Sequence, residues 1–124
     1  MTETNLNQNE DFSITIDIGT STVKAYLVKN KNINGKNDIE ILKELEERNS
    51  QYLYGKDVIS RVMYSHYNGN SKLQEAIVFQ ISSLIKRLVE NQKDISFITI
   101  TGNSVMLSIL EGFSLESFEK FPFK

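Results

Sequence analysis

The sequence contains no cysteine, and this absence removes several kinds of chemistry at once. Without a thiol the chain can form no disulfide, no thiolate nucleophile and no cysteine-ligated iron–sulfur cluster. His66 is the only histidine, which excludes a metal site built from several histidines. Because no carboxylate or second histidine stands near it in the sequence, we expect His66 to be a surface residue.

Long apolar runs and an excess of one charge are also missing. No apolar stretch approaches the roughly 20 residues that are needed to span a membrane. Residues 1–11 lack the basic end and the apolar stretch of a signal peptide. The formal net charge is −2, so the chain has no basic patch of the kind that binds nucleic acid. We therefore expect a cytoplasmic protein that binds neither nucleic acid nor membranes.

The residues that are present have the composition of an ordinary globular domain. Of 124 residues, 40% are hydrophobic and 24% are charged, which suits a single domain with a real core. Residues 1–11 are mostly Thr, Glu, Asn and Gln, a composition that cannot bury enough apolar surface to fold. We predict a disordered tail over 1–11 and a folded part over 12–124.

The strongest pattern lies in residues 12–28. Isoleucines alternate with small polar residues up to Asp17, and a second alternating run follows Gly19, Thr20 and Ser21. Such alternation is typical of half-buried strands, which Ile and Val favour. We predict a tight hairpin with Asp17 immediately before its turn.

The chemistry of this turn suits phosphate. The hydroxyls of Thr20, Ser21 and Thr22, with the backbone N–H groups around Gly19, would form a concave corner rich in hydrogen-bond donors. Asp17 beside that corner could hold a hydrated magnesium ion through water. The alternative is that the segment is only an Asp/Gly hairpin turn, which is common in antiparallel sheets.

The chain after the hairpin predicts a third strand and a short helix. Residues 38–45 are assigned to a strand, although their Glu and Lys content also suits a helix. A loop over 49–55 follows, and Asp57 can cap a helix whose apolar residues are three and four apart. Asp57 and Arg61 lie one helical turn apart. They would form an ion pair on a solvated helix or contribute to a protein interface.

The clearest helix begins at Ser71, where Ser71 and Gln74 fit a capping box, and runs to about Asn91. Residues 95–100 are apolar enough for a central strand. Three strands, a helical segment and a strand predict an antiparallel meander with a right-handed crossover to a parallel strand. The expected sheet order is 3-2-1-4.

A last helix follows the fourth strand. Asn103 can cap it, and Gly112 should end it. Asn103 and Gly102 would then lie at the same edge of the sheet as the hairpin turn.

The segment Asp17-Ile-Gly-Thr-Ser-Thr-Val-Lys-Ala-Tyr-Leu-Val28 resembles the first phosphate motif of the actin, sugar kinase and heat-shock chaperone superfamily. In that superfamily the hairpin clamps the β- and γ-phosphates of ATP. Lys24 stands seven residues after Asp17, where actin-like members carry a lysine. By strand alternation Lys24 shares a face with Thr22, so it could reach phosphate or remain a solvated strand lysine.

Three further segments are similar to the ATPase domain of reductive activators of corrinoid proteins. They are Asn49-Ser-Gln-Tyr-Leu-Tyr-Gly-Lys-Asp-Val-Ile-Ser-Arg-Val-Met-Tyr64, Ile98-Thr-Ile-Thr-Gly-Asn-Ser-Val-Met106 and Phe121-Pro-Phe123. Members of that family use ATP to drive electron transfer to an inactivated cobalt(II) corrinoid on a methyl-transfer protein. Their electrons come from an N-terminal iron–sulfur domain.

This resemblance implies an α/β fold, a ribonuclease H-like lobe that ends before the fifth strand, and the use of ATP and magnesium. Asp17 would contact magnesium through water, while Asn103 would face the nucleotide cleft or serve only as the helix cap. The candidate nucleotide-binding residues are Asp17, Gly19, Thr20, Ser21, Thr22, Lys24, Gly102 and Asn103.

Two functions are consistent with this sequence. In the first, the chain is the front lobe of an ATP-dependent activator that reactivates cobalt(II) corrinoid methyl-transfer proteins. In the second, it is a non-catalytic remnant or interaction module that keeps the fold without ATP turnover. The expected partners are a corrinoid protein, a second ATPase lobe and a second copy of the chain. The second copy is expected because strand 95–100 would be left as an apolar edge.

Overall fold

A computed structural model describes residues 8–89, 94–113 and 115 of the chain. The predicted order of strands and helices is confirmed. The elements are β1 (Gln8–Ile18), β2 (Thr22–Ile33), β3 (Lys36–Arg48), a 3₁₀ turn (Ser50–Leu53), α1 (Val58–Asn68), α2 (Ser71–Leu88), β4 (Ile95–Gly102) and α3 (Ser104–Glu111). Among the helices of these ranges, none combines the length and apolar character that crossing a membrane requires.

The four strands form one mixed sheet in the order β3-β2-β1-β4, which confirms the predicted order 3-2-1-4. β1 and β2 are antiparallel, as are β2 and β3, whereas β4 runs parallel to β1. A parallel pair requires a long connection, and α1 and α2 provide it between β3 and β4. The fold class is therefore α/β.

One face of the sheet carries the core. Alternation along β1 and β2 puts the apolar residues of both strands on this face, where the helices contribute further buried side chains. Burying one such side chain contributes about 1.5–3 kcal/mol. The central members of this core are Ile14, Ile16, Ile18, Val23, Ala25 and Leu27 from the sheet, Val62 from α1, Leu73, Ile77 and Leu84 from α2, and Val105, Met106 and Ile109 from α3.

Two strands are longer than predicted. β1 begins at Gln8, so residues 8–11 belong to the sheet and not to a disordered tail. The reason is that β2 is long enough to pair with β1 along its whole length, from Ile18 opposite Val23 back to Gln8 opposite Ile33. β3 likewise extends beyond 38–45 at both ends, because it follows β2. Residues 1–7 lie outside the described residues.

The predicted capping box at the start of α2 is wrong. Asn70 is the N-cap residue and makes no side-chain cap hydrogen bond. The Gln74 side chain instead donates to the carbonyl oxygen of Leu110 (3.1 Å), which ties α2 to α3. α2 ends at Leu88, and the predicted end at Asn91 lies outside the described residues. The segment 121–123 also lies outside them.

The other three predicted helix boundaries are confirmed. The Asp57 side chain accepts a hydrogen bond from the backbone N–H of Ser60, and Asn103 accepts one from the N–H of Met106. Gly112 ends α3 with a φ of 78°, a left-handed conformation that glycine adopts without strain.

Candidate phosphate-binding site

The turn between β1 and β2 is closed by a short backbone hydrogen bond. The N–H of Gly19 donates to the carbonyl oxygen of Thr22 at 2.8 Å. A Cβ atom on residue 19 would lie only 2.7 Å from the same oxygen. A side chain therefore cannot be added there unless the turn moves, which explains why glycine occupies this position.

Asp17 lies on the sheet face opposite the core. The strand register puts it directly across from Lys24 on β2 and Thr101 on β4, and residues in such positions share a face. The Asp17 carboxylate is exposed and accepts a hydrogen bond from Thr101 Oγ1 at 3.0 Å. It is therefore oriented by the sheet but open to solvent beside the turn.

Lys24 lies between two carboxylate residues on neighbouring strands. It is opposite Asp17 on one side and Glu46 on the other, and it is partly buried. Its position next to the turn is compatible with a phosphate contact. The carboxylates on both sides are equally compatible with a structural role, in which Lys24 interacts with Asp17 and Glu46 across the sheet and contacts no ligand.

The end of β4 lies beside the turn, as the sequence predicts. Gly102 is directly across from Ile18, and a Cβ on residue 102 would lie 3.1 Å from the Ile18 carbonyl oxygen. Asn103 follows and is exposed. Its Oδ1 accepts from Met106 N at 2.9 Å, so this atom acts as the helix cap.

Two residues at this site were not identified from the sequence as site residues. Thr101 orients Asp17, and only the parallel register of β1 and β4 reveals it. Asn49 is completely buried and contacts the turn at two places. Its Nδ2 donates to the carbonyl oxygen of Gly19 and its backbone N–H to that of Ser21, each at 2.8 Å.

Of the two alternatives for Asp57 and Arg61, the solvated ion pair is wrong, because Arg61 is completely buried. Its Nε donates to the Gly55 carbonyl oxygen at 2.9 Å, while Nη1 lies 3.5 Å from Gln51 Oε1 and 3.8 Å from Met106 Sδ. Nη2 has no hydrogen-bond partner within the described part of the chain. Arg61 is thus a buried cation in contact mainly with neutral acceptors.

Burial lowers the pKa of Arg61, and the charge of Asp57 opposes this shift only in part. Hydrogen bonds from the Ser60 side chain and backbone lower the pKa of Asp57. Asp57 therefore acts mainly as the cap of α1, and it does not neutralise Arg61 through a direct ion pair.

The residues around the turn fit a hydrated magnesium ion better than a metal ion whose ligands are all protein side chains. Within residues 8–89, 94–113 and 115, no group of three or more His, Cys, Asp or Glu side chains is placed to hold a metal. Magnesium needs only one or two carboxylates when phosphates and water complete its coordination. The exposed carboxylate of Asp17 meets that requirement.

The family model described as "RACo middle region" matches residues 12–124. The chain belongs to this family. Among solved structures, one described as "Reductive activator for corrinoid,iron-sulfur protein" is 29% identical to this RACo middle region, with a TM-score of 0.77. The match covers 92% of this chain and 18% of that protein. No curated protein matches the chain.

A structure of a Ppx/GppA protein family member from Aquifex aeolicus is also similar to this RACo middle region. It is 17% identical with a TM-score of 0.49, and the match covers 83% of this chain and 30% of that one. The chain spans less than a fifth of the length of the reductive activator described above.

Proposed function

We propose that this chain provides the first phosphate-binding element of an ATP-dependent activator, one that drives the reductive reactivation of cobalt(II) corrinoid methyl-transfer proteins. The observation that carries the proposal is the exposed Asp17 carboxylate beside a glycine turn whose carbonyl oxygens are bonded to Asn49. Membership of the RACo middle region family and the likeness to a reductive activator support it.

In this proposal the turn binds the phosphates of ATP. Backbone N–H groups and the hydroxyls of Thr20, Ser21 and Thr22 donate to phosphate oxygens, and Asp17 holds magnesium through water. Lys24, Gly102 and Asn103 border the same end of the sheet and complete the proposed site. When bound there, Mg²⁺·ATP would supply the phosphoryl group that is transferred, and this transfer would drive the reactivation.

Within the described residues, the proposed phosphate contacts come from the hairpin turn and the neighbouring end of β4. Stabilising a phosphoryl group electrostatically needs charged or polar groups on both sides of it. We therefore propose a second ATPase lobe as the partner that completes the nucleotide site and a corrinoid protein as the partner that is activated. Without the second lobe we expect the chain to bind Mg²⁺·ATP no more tightly than about 1 mM, or about −4 kcal/mol.

We also propose that the isolated chain self-associates, through the edge of β4 or through the sheet face opposite the core. In the described residues β4 pairs only with β1, and its Phe97 and Ile98 side chains are 52% and 45% exposed. An unpaired apolar edge favours pairing with a second copy, most simply as a two-fold dimer. Sedimentation velocity at micromolar concentration tests this, and a stable monomer would contradict it.

The function is tested by following the turn during nucleotide binding. Amide resonances of the ¹⁵N-labelled chain are recorded by NMR while Mg²⁺·ATP is added to several millimolar. We expect saturable shifts at Gly19, Thr20 and Ser21 that weaken when EDTA removes the magnesium. Asp17→Ala should abolish this magnesium dependence. Glu46→Ala, which removes another exposed carboxylate two strands away, should keep it.

The same experiment separates the phosphate site from a structural turn. Because Asp17 makes one exposed hydrogen bond, Asp17→Ala should cost at most about 1 kcal/mol of unfolding free energy. A much larger loss of stability with unchanged nucleotide shifts would identify Asp17 as a turn residue. It would also favour the non-catalytic interaction module.

A further inference from the structure

We infer that Asn49 is a positioning residue that holds the hairpin turn in the conformation that accepts phosphate. This inference rests on the proposed function of the turn. Asn49 lies 30 residues from Gly19 in the chain and belongs to the segment between β3 and α1, yet it is completely buried against the turn. Its side-chain amide and its backbone N–H bind the carbonyl oxygens of Gly19 and Ser21 in that turn.

Two of the turn's carbonyl oxygens accept hydrogen bonds from Asn49. Asn49 Nδ2 binds the Gly19 oxygen and Asn49 N binds the Ser21 oxygen, each at 2.8 Å. In a trans peptide the carbonyl and the following N–H point in opposite directions. When the Gly19 carbonyl faces Asn49, the N–H of Thr20 must face away from it.

This orientation matters for an anionic ligand. Carbonyl oxygens carry partial negative charge and would repel phosphate, whereas outward N–H groups attract it. If Asn49 released the Gly19 carbonyl, the Gly19–Thr20 peptide could rotate and present an oxygen in place of a donor. Asn49 would thus act on phosphate through the turn, without touching the ligand.

Asn49 is itself firmly held. Its Oδ1 accepts from the N–H of Gln51 at 2.9 Å, so the amide group cannot turn over without losing that bond. Gln51 is buried as well, and its Nε2 donates to the carbonyl oxygen of Leu73 on α2 at 2.9 Å. The turn is therefore connected through two buried amide side chains to the helix that covers the core.

The side-chain contacts of Asn49 require both an NH₂ donor for the Gly19 oxygen and a carbonyl acceptor for the Gln51 N–H, and an asparagine amide has both. Aspartate has the same shape but no donor, and its carboxylate would repel the Gly19 oxygen. Serine can still cap the 3₁₀ turn as an acceptor, but it is too short to replace the donor. Asn49→Ser removes the contact to Gly19 without adding a charge, and Asn49→Asp removes it and adds a negative charge. The two variants together keep the test valid if one of them does not fold.

Asn30→Asp is a matched control. Asn30 is partly buried, whereas Asn49 is completely buried, and the Asn30 Nδ2 donates to Ser13 Oγ at 3.0 Å; Asn30 lies on β2 toward the end of the β1–β2 hairpin that is far from the turn. This variant loses a comparable hydrogen bond and gains the same charge. A general effect of lost stability would therefore appear in the control, whereas an effect on the turn would not.

The experiment uses the ¹⁵N-labelled 124-residue chain with Mg²⁺·ATP as the probe, added to tens of millimolar so that binding weaker than that of the wild type is still measured. We expect the Asn49 variants to bind about tenfold more weakly than the wild type, the effect of losing one buried hydrogen bond. We also expect the Thr20 amide resonance to move in both variants before ATP is added. Asn30→Asp should leave the affinity and the Thr20 resonance unchanged.

Each outcome bears on a different claim. If the wild type binds and the Asn49 variants bind equally well, the positioning role is refuted while the proposed function stands. If the wild type shows no saturable shift at the turn, the proposed function fails and this inference fails with it.

Discussion

Gly19→Ala should be among the most damaging single-methyl changes in this protein. The added Cβ would lie 2.7 Å from the carbonyl oxygen of Thr22, a backbone atom in the first residue of β2. That oxygen also accepts the hydrogen bond from Gly19 N–H at 2.8 Å. The turn can relieve the contact only by lengthening the bond that closes it.

The expected loss follows from these two effects. Forcing a methyl group into a packed position costs about 1–3 kcal/mol. Weakening one backbone hydrogen bond adds about 1 kcal/mol. We therefore expect Gly19→Ala to lower the free energy of unfolding by about 2–4 kcal/mol. Because the φ of Gly19 lies outside the left-handed region, the cost comes from the contact itself and not from the dihedral angle.

Gly102→Ala is the internal comparison. Its Cβ would lie 3.1 Å from the Ile18 carbonyl oxygen, a contact that a shift of a few tenths of an ångström relieves. We expect a loss of about 1 kcal/mol, at the lower end of the range for overpacking. Urea unfolding followed by far-UV circular dichroism measures both variants. Equal losses, or a larger loss for Gly102→Ala, would refute the steric explanation.

Two further predictions concern the segment between β3 and α2. Arg61→Met should change the unfolding free energy by no more than about 1 kcal/mol, because it removes a buried charge that lacks a carboxylate partner. Arg61→Ala leaves a cavity and should cost about 3 kcal/mol. Equal losses for the two variants in urea unfolding would contradict this explanation. Because the pKa of Asp57 is lowered in the folded protein, its ionised form stabilises the fold, and this stabilisation is fully present above the unfolded pKa of about 3.9. It is lost as the pH falls through the pKa of Asp57 in the folded state. In Asp57→Asn, the free energy of unfolding should therefore fall less as the pH is lowered. An unchanged pH dependence of thermal unfolding would contradict this stabilising role of the Asp57 carboxylate.

Much of the fold could be predicted because its signals are local. The alternation of residues 12–28 specifies the hairpin, and the caps at Asp57 and Asn103 need partners only three residues away. The same kind of reasoning failed at Ser71. There the capping box fits the sequence, but Gln74 bonds to α3 across the core.

The sequence by itself determined which segments are strands, the caps at Asp57 and Asn103 and the position of Asp17 before a glycine turn, because periodicity and capping act over a few residues. The sheet order followed from the order of these elements and the right-handed crossover. Only the tertiary structure decided that Arg61 is buried, since its helical spacing is equally suited to a solvated face. It also decided that Asn49 bonds to Gly19 across 30 residues. Both contacts, of Arg61 with Met106 and of Asn49 with Gly19, join segments that are far apart in the sequence, so they depend on how the helices and the sheet pack and cannot be inferred from the few residues around either partner.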